Sequence, residues 1–94
     1  MSRVHLERDI GCATFLYCSG FEFIDLVPVP AGNRYNFRFA DPDARAASLV
    51  SRYHRGETSV DAKRLMDGLK HMKDMLYLEK RNGDGNGNGN NARP

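Results

Sequence analysis

The chain reads as an α+β domain, one β-hairpin packed with three helices in the order α-β-β-α-α. Three features predict it. Tyr35, Phe37 and Phe39 alternate with Arg34, Asn36 and Arg38, the period of two of a half-buried strand. The run that begins Asp41-Pro42-Asp43 and closes on Gly56 carries the start and stop signals of a helix. Farther on, Leu65, Leu69, Met72 and Leu76 recur at spacings of three and four, the period of an amphipathic helix.

Taken in order, residues 1–8 are charged and lack a period, so they read as a lead-in. Asp9 can cap a short helix over residues 10–19, where Ala13, Phe15, Leu16 and Tyr17 give a broad apolar surface. Gly11 weakens its first turn and Gly20 is the expected stop. A first strand over residues 21–27 puts Phe23 and Val27 on one face with Asp25, and Ile24 and Leu26 on the other with Glu22. Apolar groups on both faces mean that this strand is covered twice or carries a bulge that switches parity. Pro28 and Pro30 cannot donate to a ladder, and Gly32 and Asn33 tolerate positive φ, so the hairpin loop is longer than two residues.

The second strand leads into a helix over residues 42–55, with Asp41 as cap, Pro42 in its first turn and Asp43 favoured there by the helix dipole. Ala46, Leu49, Val50 and Tyr53 form its buried stripe; Arg45, Ser48, Arg52 and Arg55 line its outer side. A last helix over residues 60–81 is capped by Ser59 and has Asp61 in its first turn. Its stripe is Ala62, Leu65, Met66, Leu69, Met72 and Leu76, with Met75 at the edge; Met66 and Met72 read as core. Gly68 permits close approach of another element, and Lys70 and Asp74 form a pair one turn apart. Residues 82–94, rich in Gly and Asn, read as a disordered tail, which leaves residues 1–81 as the folding unit.

Composition narrows the function. Fourteen basic against twelve acidic residues is far from the charge of a protein that holds nucleic acid by bulk electrostatics. Cys12 and Cys18 are six apart in one helix, on different faces, which argues against a disulfide and leaves no zinc set. No apolar run approaches membrane length and the first residues lack a signal peptide's apolar core, so a reduced, cytoplasmic setting without membrane contact is expected.

Catalytic patterns are missing. His5, His54 and His71 fall on different elements, and no metalloprotease, nucleophile-elbow or phosphate-loop motif occurs. Both cysteines lie in an apolar helix and read as structural. Capping accounts for Asp41 and Asp43, and Asp84 alone cannot make a calcium loop. No catalytic, cofactor-binding or metal-binding residue is therefore expected, and the protein is not expected to be an enzyme.

Two binding functions remain. A lone hairpin is marginal and leaves an open edge, so two copies meeting edge to edge would form a symmetric homodimer; the alternative is a monomer in which a helix or loop covers the edge. Met75, Tyr77 and Leu78 wrap beyond a single stripe and are candidates for a protein-partner surface. For nucleic acid, the candidates are Arg45, Arg52 and Arg55 along one helix side, with Arg34 and Arg38 on the strand; Tyr35 or Phe37 could stack bases only if exposed. Glu22 and Asp25 can neutralise the strand arginines across the hairpin. The expected function is that of a small non-enzymatic accessory protein that binds a protein partner or itself. Direct nucleic-acid binding is the alternative, which loses its basis if the aromatics are buried and the arginines paired with acids.

Local strings add one resemblance. They are Tyr17-Cys18-Ser19-Gly20-Phe21, Phe37-Arg38-Phe39-Ala40-Asp41, Tyr53-His54-Arg55-Gly56, Ser59-Val60-Asp61-Ala62-Lys63 and Leu69-Lys70-His71-Met72-Lys73. Together with the α-β-β-α-α order, they resemble a small domain family of unassigned activity found in phage and other mobile-element proteins of bacteria and archaea. The resemblance covers about residues 9–78. It implies an accessory protein and carries over no site residues.

Overall fold

The computed structural model describes residues 3–30 and 34–85, with side chains as far as Arg81. Its elements are β1 (Val4–Glu7), α1 (Ile10–Cys18), β2 (Phe23–Pro28), β3 (Tyr35–Ala40), α2 (Ala46–His54) and α3 (Ala62–Gly85). The chain is α+β, but its order is β-α-β-β-α-α and its sheet has three antiparallel strands, β1-β3-β2. Gly32 and Asn33 of the hairpin loop, and residues 86–94 of the expected tail, lie outside the described residues.

The supposed lead-in is β1. It pairs along β3, with His5 opposite Phe39 and Glu7 opposite Phe37, so β3 is central and its far edge is covered by a strand. Paired residues of antiparallel strands share a face. His5 and Glu7 therefore point toward the core side, while Val4 and Leu6 stand on the other face, half exposed. Inward charge on an edge strand discourages further pairing and is one way in which sheets protect their edges.

β2 carries the bulge that its two-sided apolar pattern implied. Phe23 lies opposite Phe39 and Leu26 opposite Phe37, with a register shift between Phe23 and Asp25. The extra residue, Ile24, lets Phe23 and Leu26 share the core face although three positions separate them. Asp25 then falls opposite Arg38 on the outer face.

All three helices build one core against Phe37 and Phe39, with Phe15 and Leu16 from α1, Ala46 from α2 and Met72 from α3. Burying a side chain of this size stabilises the fold by about 1.5–3 kcal/mol. The α1 helix is buried from Cys12 through Leu16, the pattern of a helix enclosed on several sides. Asp9 caps it by accepting the Cys12 N–H at 2.8 Å, and Gly20 at φ 97° turns the chain out of it.

α2 starts four residues later than expected. Its N-cap is Arg45, whose side chain makes no cap bond; Asp41, expected in that position, instead reaches forward from four residues earlier, accepting the N–H of Arg45 at 2.8 Å and of Ala46 at 3.2 Å. Pro42, Asp43 and Ala44 form a turn instead of a first helical turn, because Ala44 takes a left-handed φ of 55° that no helix can continue.

α3 begins at Ala62, so its cap is Asp61, which accepts the Arg64 N–H at 3.0 Å, and not Ser59. It runs through Gly85, past the expected end at residue 81, since extending a formed helix needs no new nucleus. Met66, expected in the core, is 61% exposed. About one and two-thirds turns separate it from the fully buried Met72, which places it on another side of the helix. Gly68 is the crossing point with α1: a Cβ there would lie 3.0 Å from Cys18 Sγ and 3.2 Å from Thr14 Cγ2. Tyr17 stacks on His71 beside the crossing, ring centres 5.2 Å apart.

Candidate interaction surfaces

β2 is paired on one side only; among the described residues no strand lies along its other edge. There α3 passes beside it. Phe23, Ile24, Asp25 and Leu26 of β2 and Met75, Leu78 and Glu79 of α3 line a groove of about 270 Å³. The bulge turns Ile24 outward, 43% exposed, and Leu78 across from it is 53% exposed. Two of the three residues expected to meet a partner, Met75 and Leu78, thus line one groove. Tyr77 lies on the exposed side of α3, its ring 5.9 Å from the Arg81 guanidinium. Ile24 and Leu26 are the residues that sequence reasoning left out. Their signal was present, as the apolar pair opposite Phe23 and Val27 in the first expected strand.

The five candidate arginines do not converge. Arg38, on the outer face of the sheet, is held by Asp25 through two hydrogen bonds of 2.7 and 2.6 Å. These bonds hold the Asp25 carboxyl below its usual range and push the guanidinium's pKa up. Arg55 is held by Glu57 and Ser51 beyond the end of α2, and Arg45 lies over the Phe21 ring at 5.2 Å. Arg52 is exposed on α2, whereas Arg34 precedes β3 at the opposite end of that strand from Asp41. Phe37 and Phe39 are buried and Tyr35 is partly so.

The turn from β1 to α1 hides a polar cluster with no signature in the sequence. Glu7 is only 6% exposed; its Oε1 lies 3.0 Å from His5 Nε2, and its Oε2 accepts the Asp9 N–H at 3.2 Å. The Cys12 thiol, fully buried beside it, is pushed up to about 12, first by burial and then by the charges of Glu7 and Asp9. Burial, with Asp9 next, also raises the Tyr53 hydroxyl, which packs against Gly11 so closely that a Cβ would lie 2.9 Å from it. A thiol held so far above neutral pH stays protonated and is no nucleophile. The cluster fastens the strand to the helix.

No group of three metal-binding side chains occurs among the described residues, and no helix among them is long and apolar enough to cross a membrane. No protein-family model, curated protein or solved structure matches the chain.

Proposed function

We propose that this is a small accessory protein without catalytic activity, that it works by protein–protein contact, and that it binds a second copy of itself along β2. One juxtaposition carries the proposal: Ile24 and Leu78, both about half exposed, line a groove of mostly apolar residues, with Asp25 and Glu79 among them, beside a strand paired on one side only. Two β2 strands running antiparallel about a two-fold axis join two three-stranded sheets and cover both grooves at once. An edge strand with neighbouring side-chain pockets is a recurrent protein-recognition device.

Nucleic-acid binding has less to draw on, since acids hold Arg38 and Arg55 and the strand aromatics face the core. The resemblance to a mobile-element family agrees with an accessory role. A reducing, cytoplasmic setting belongs to the same proposal and suits two free cysteines.

The test is the mass of the full chain by light scattering over a concentration series. The expected mass rises to twice that of the chain, and Ile24→Glu and Leu78→Glu each return it to the monomer, while Arg52→Glu on α2 does not. A monomer at every concentration, or a dimer indifferent to both groove variants, would refute the proposal.

A further inference from the structure

A second, larger cavity of about 520 Å³ opens at the other end of the sheet, where β1 gives way to α1. Three cations from three separate parts of the chain line it: Arg8 from the β1–α1 turn, Arg34 from the entry to β3, and Lys80 from α3. One carboxylate, Asp9, shares the wall, and its Oδ2 is engaged by the Cys12 N–H at 2.8 Å. The charge around the cavity is therefore positive, three against one. Among the described residues no ion pair involves Arg8, Arg34 or Lys80.

The backbone supplies a further polar group. Arg34 O accepts the Val29 N–H on the β2 side of β3, and Asp41 N–H reaches Arg3 O on the β1 side. Successive residues of a strand alternate between its two neighbours, so Tyr35 aims its amide and carbonyl toward β1. The next partner there would be Asp9, but β1 has ended at Glu7 and the Asp9 N–H turns back to the Glu7 carboxylate. Tyr35 thus brings a donor and an acceptor to the cavity wall. Ile10, Leu76 and Tyr35, each partly exposed, add apolar and aromatic surface, with the buried Phe37 behind them.

We propose that this cavity binds a phosphomonoester with an aromatic body, of the nucleoside monophosphate class. Its volume lies within the range of small-ligand sites, about 300–1,000 Å³, and is too large for a bare phosphate to fill. Arg8, Arg34 and Lys80 hold the phosphate dianion by charge-assisted hydrogen bonds, and the apolar wall takes the ring. The site is separate from the groove beside β2, and its occupancy does not depend on self-association.

The experiment is calorimetric titration of the full chain with AMP, adenosine and inorganic phosphate, each at low and high salt. AMP is expected to saturate, and adenosine and phosphate each to bind at least about tenfold more weakly. High salt is expected to weaken AMP more than adenosine. Arg34→Ala combined with Lys80→Ala is expected to abolish AMP binding without moving the unfolding midpoint, since both side chains are exposed. Arg55→Ala, outside the cavity, leaves binding unchanged. Adenosine binding as well as AMP, phosphate binding as well as AMP, no saturation by AMP up to about 5 mM, or full binding by the double variant overturns the proposal.

Discussion

The Asp25 carboxylate accepts two hydrogen bonds from the Arg38 guanidinium, at 2.7 and 2.6 Å, and so ties β2 to β3 on the outer face of the sheet. The pair lowers the folded-state pKa of Asp25 below that of the unfolded chain. Its contribution is thus present above the unfolded value and is lost as pH falls through the folded one. In an NMR titration Asp25 is expected below the usual carboxylate range, and Arg38→Ala is expected to bring it back up. An Asp25 titration that ignores Arg38→Ala would contradict the pairing.

The two thiols should part company toward reagents. Cys18 is partly exposed and donates only a long bond to Arg64 O at 3.5 Å, whereas Cys12 is fully buried. An aromatic disulfide reagent at mild pH is expected to label one thiol promptly and the second only as the protein unfolds. Alkali gives a second readout. The folded Cys12 thiol is raised from 9.0 to about 12, so its contribution is complete below pH 9 and is lost as pH rises toward 12. Urea midpoints should fall over that window, and less steeply in Cys12→Ala.

Asp41 holds the entry to α2 by accepting the N–H groups of Arg45, just before the helix, and of Ala46, its first residue, and is itself buried. Asp41→Ala leaves those donors without a partner and is expected to cost about 1–2 kcal/mol in urea unfolding. Asp41→Asn keeps an acceptor and should cost less. Equal stability of both variants with the parent would mean that the turn at Ala44, not the carboxylate, sets the start of the helix.

Gly68→Leu is expected to destabilise by about 1–3 kcal/mol, because a side chain there drives into Cys18 and Thr14 of the crossing helix. Gly68→Ala should do less harm, since it regains up to about 1 kcal/mol of helix propensity against the closer contact. A Leu variant as stable as the parent would show that α1 and α3 can slide apart freely.

Much of the scaffold was legible because local chemistry and global packing agree there. The aromatic alternation of β3 survives as its core face, and Asp9, Gly20 and Gly56 stand at helix ends as their types demand. β1 was illegible because its alternation runs the wrong way: Val4 and Leu6 face outward and Glu7 inward. What holds it is backbone pairing and a satisfied carboxylate, neither of which has a hydropathy signature. The Asp41-Pro42-Asp43 string signals a helix start, and only the left-handed Ala44 defers it. The groove beside β2 and the cavity at the β1–α1 turn each join residues remote in sequence, Ile24 with Leu78 and Arg8 with Lys80, so neither could be seen as a motif.

The placement of β1 also sets an order of events. β2 and β3 close a short loop, whereas His5 must find Phe39 across α1, β2 and the hairpin loop, and longer closures cost more entropy. β1 is therefore expected to be the last strand to dock and the first to leave. Hydrogen exchange can see this within one strand. In β3 the amides of Phe37 and Phe39 point to β1, and those of Asn36 and Arg38 point to β2. The first pair should exchange through partial opening, and the second only when the whole domain unfolds.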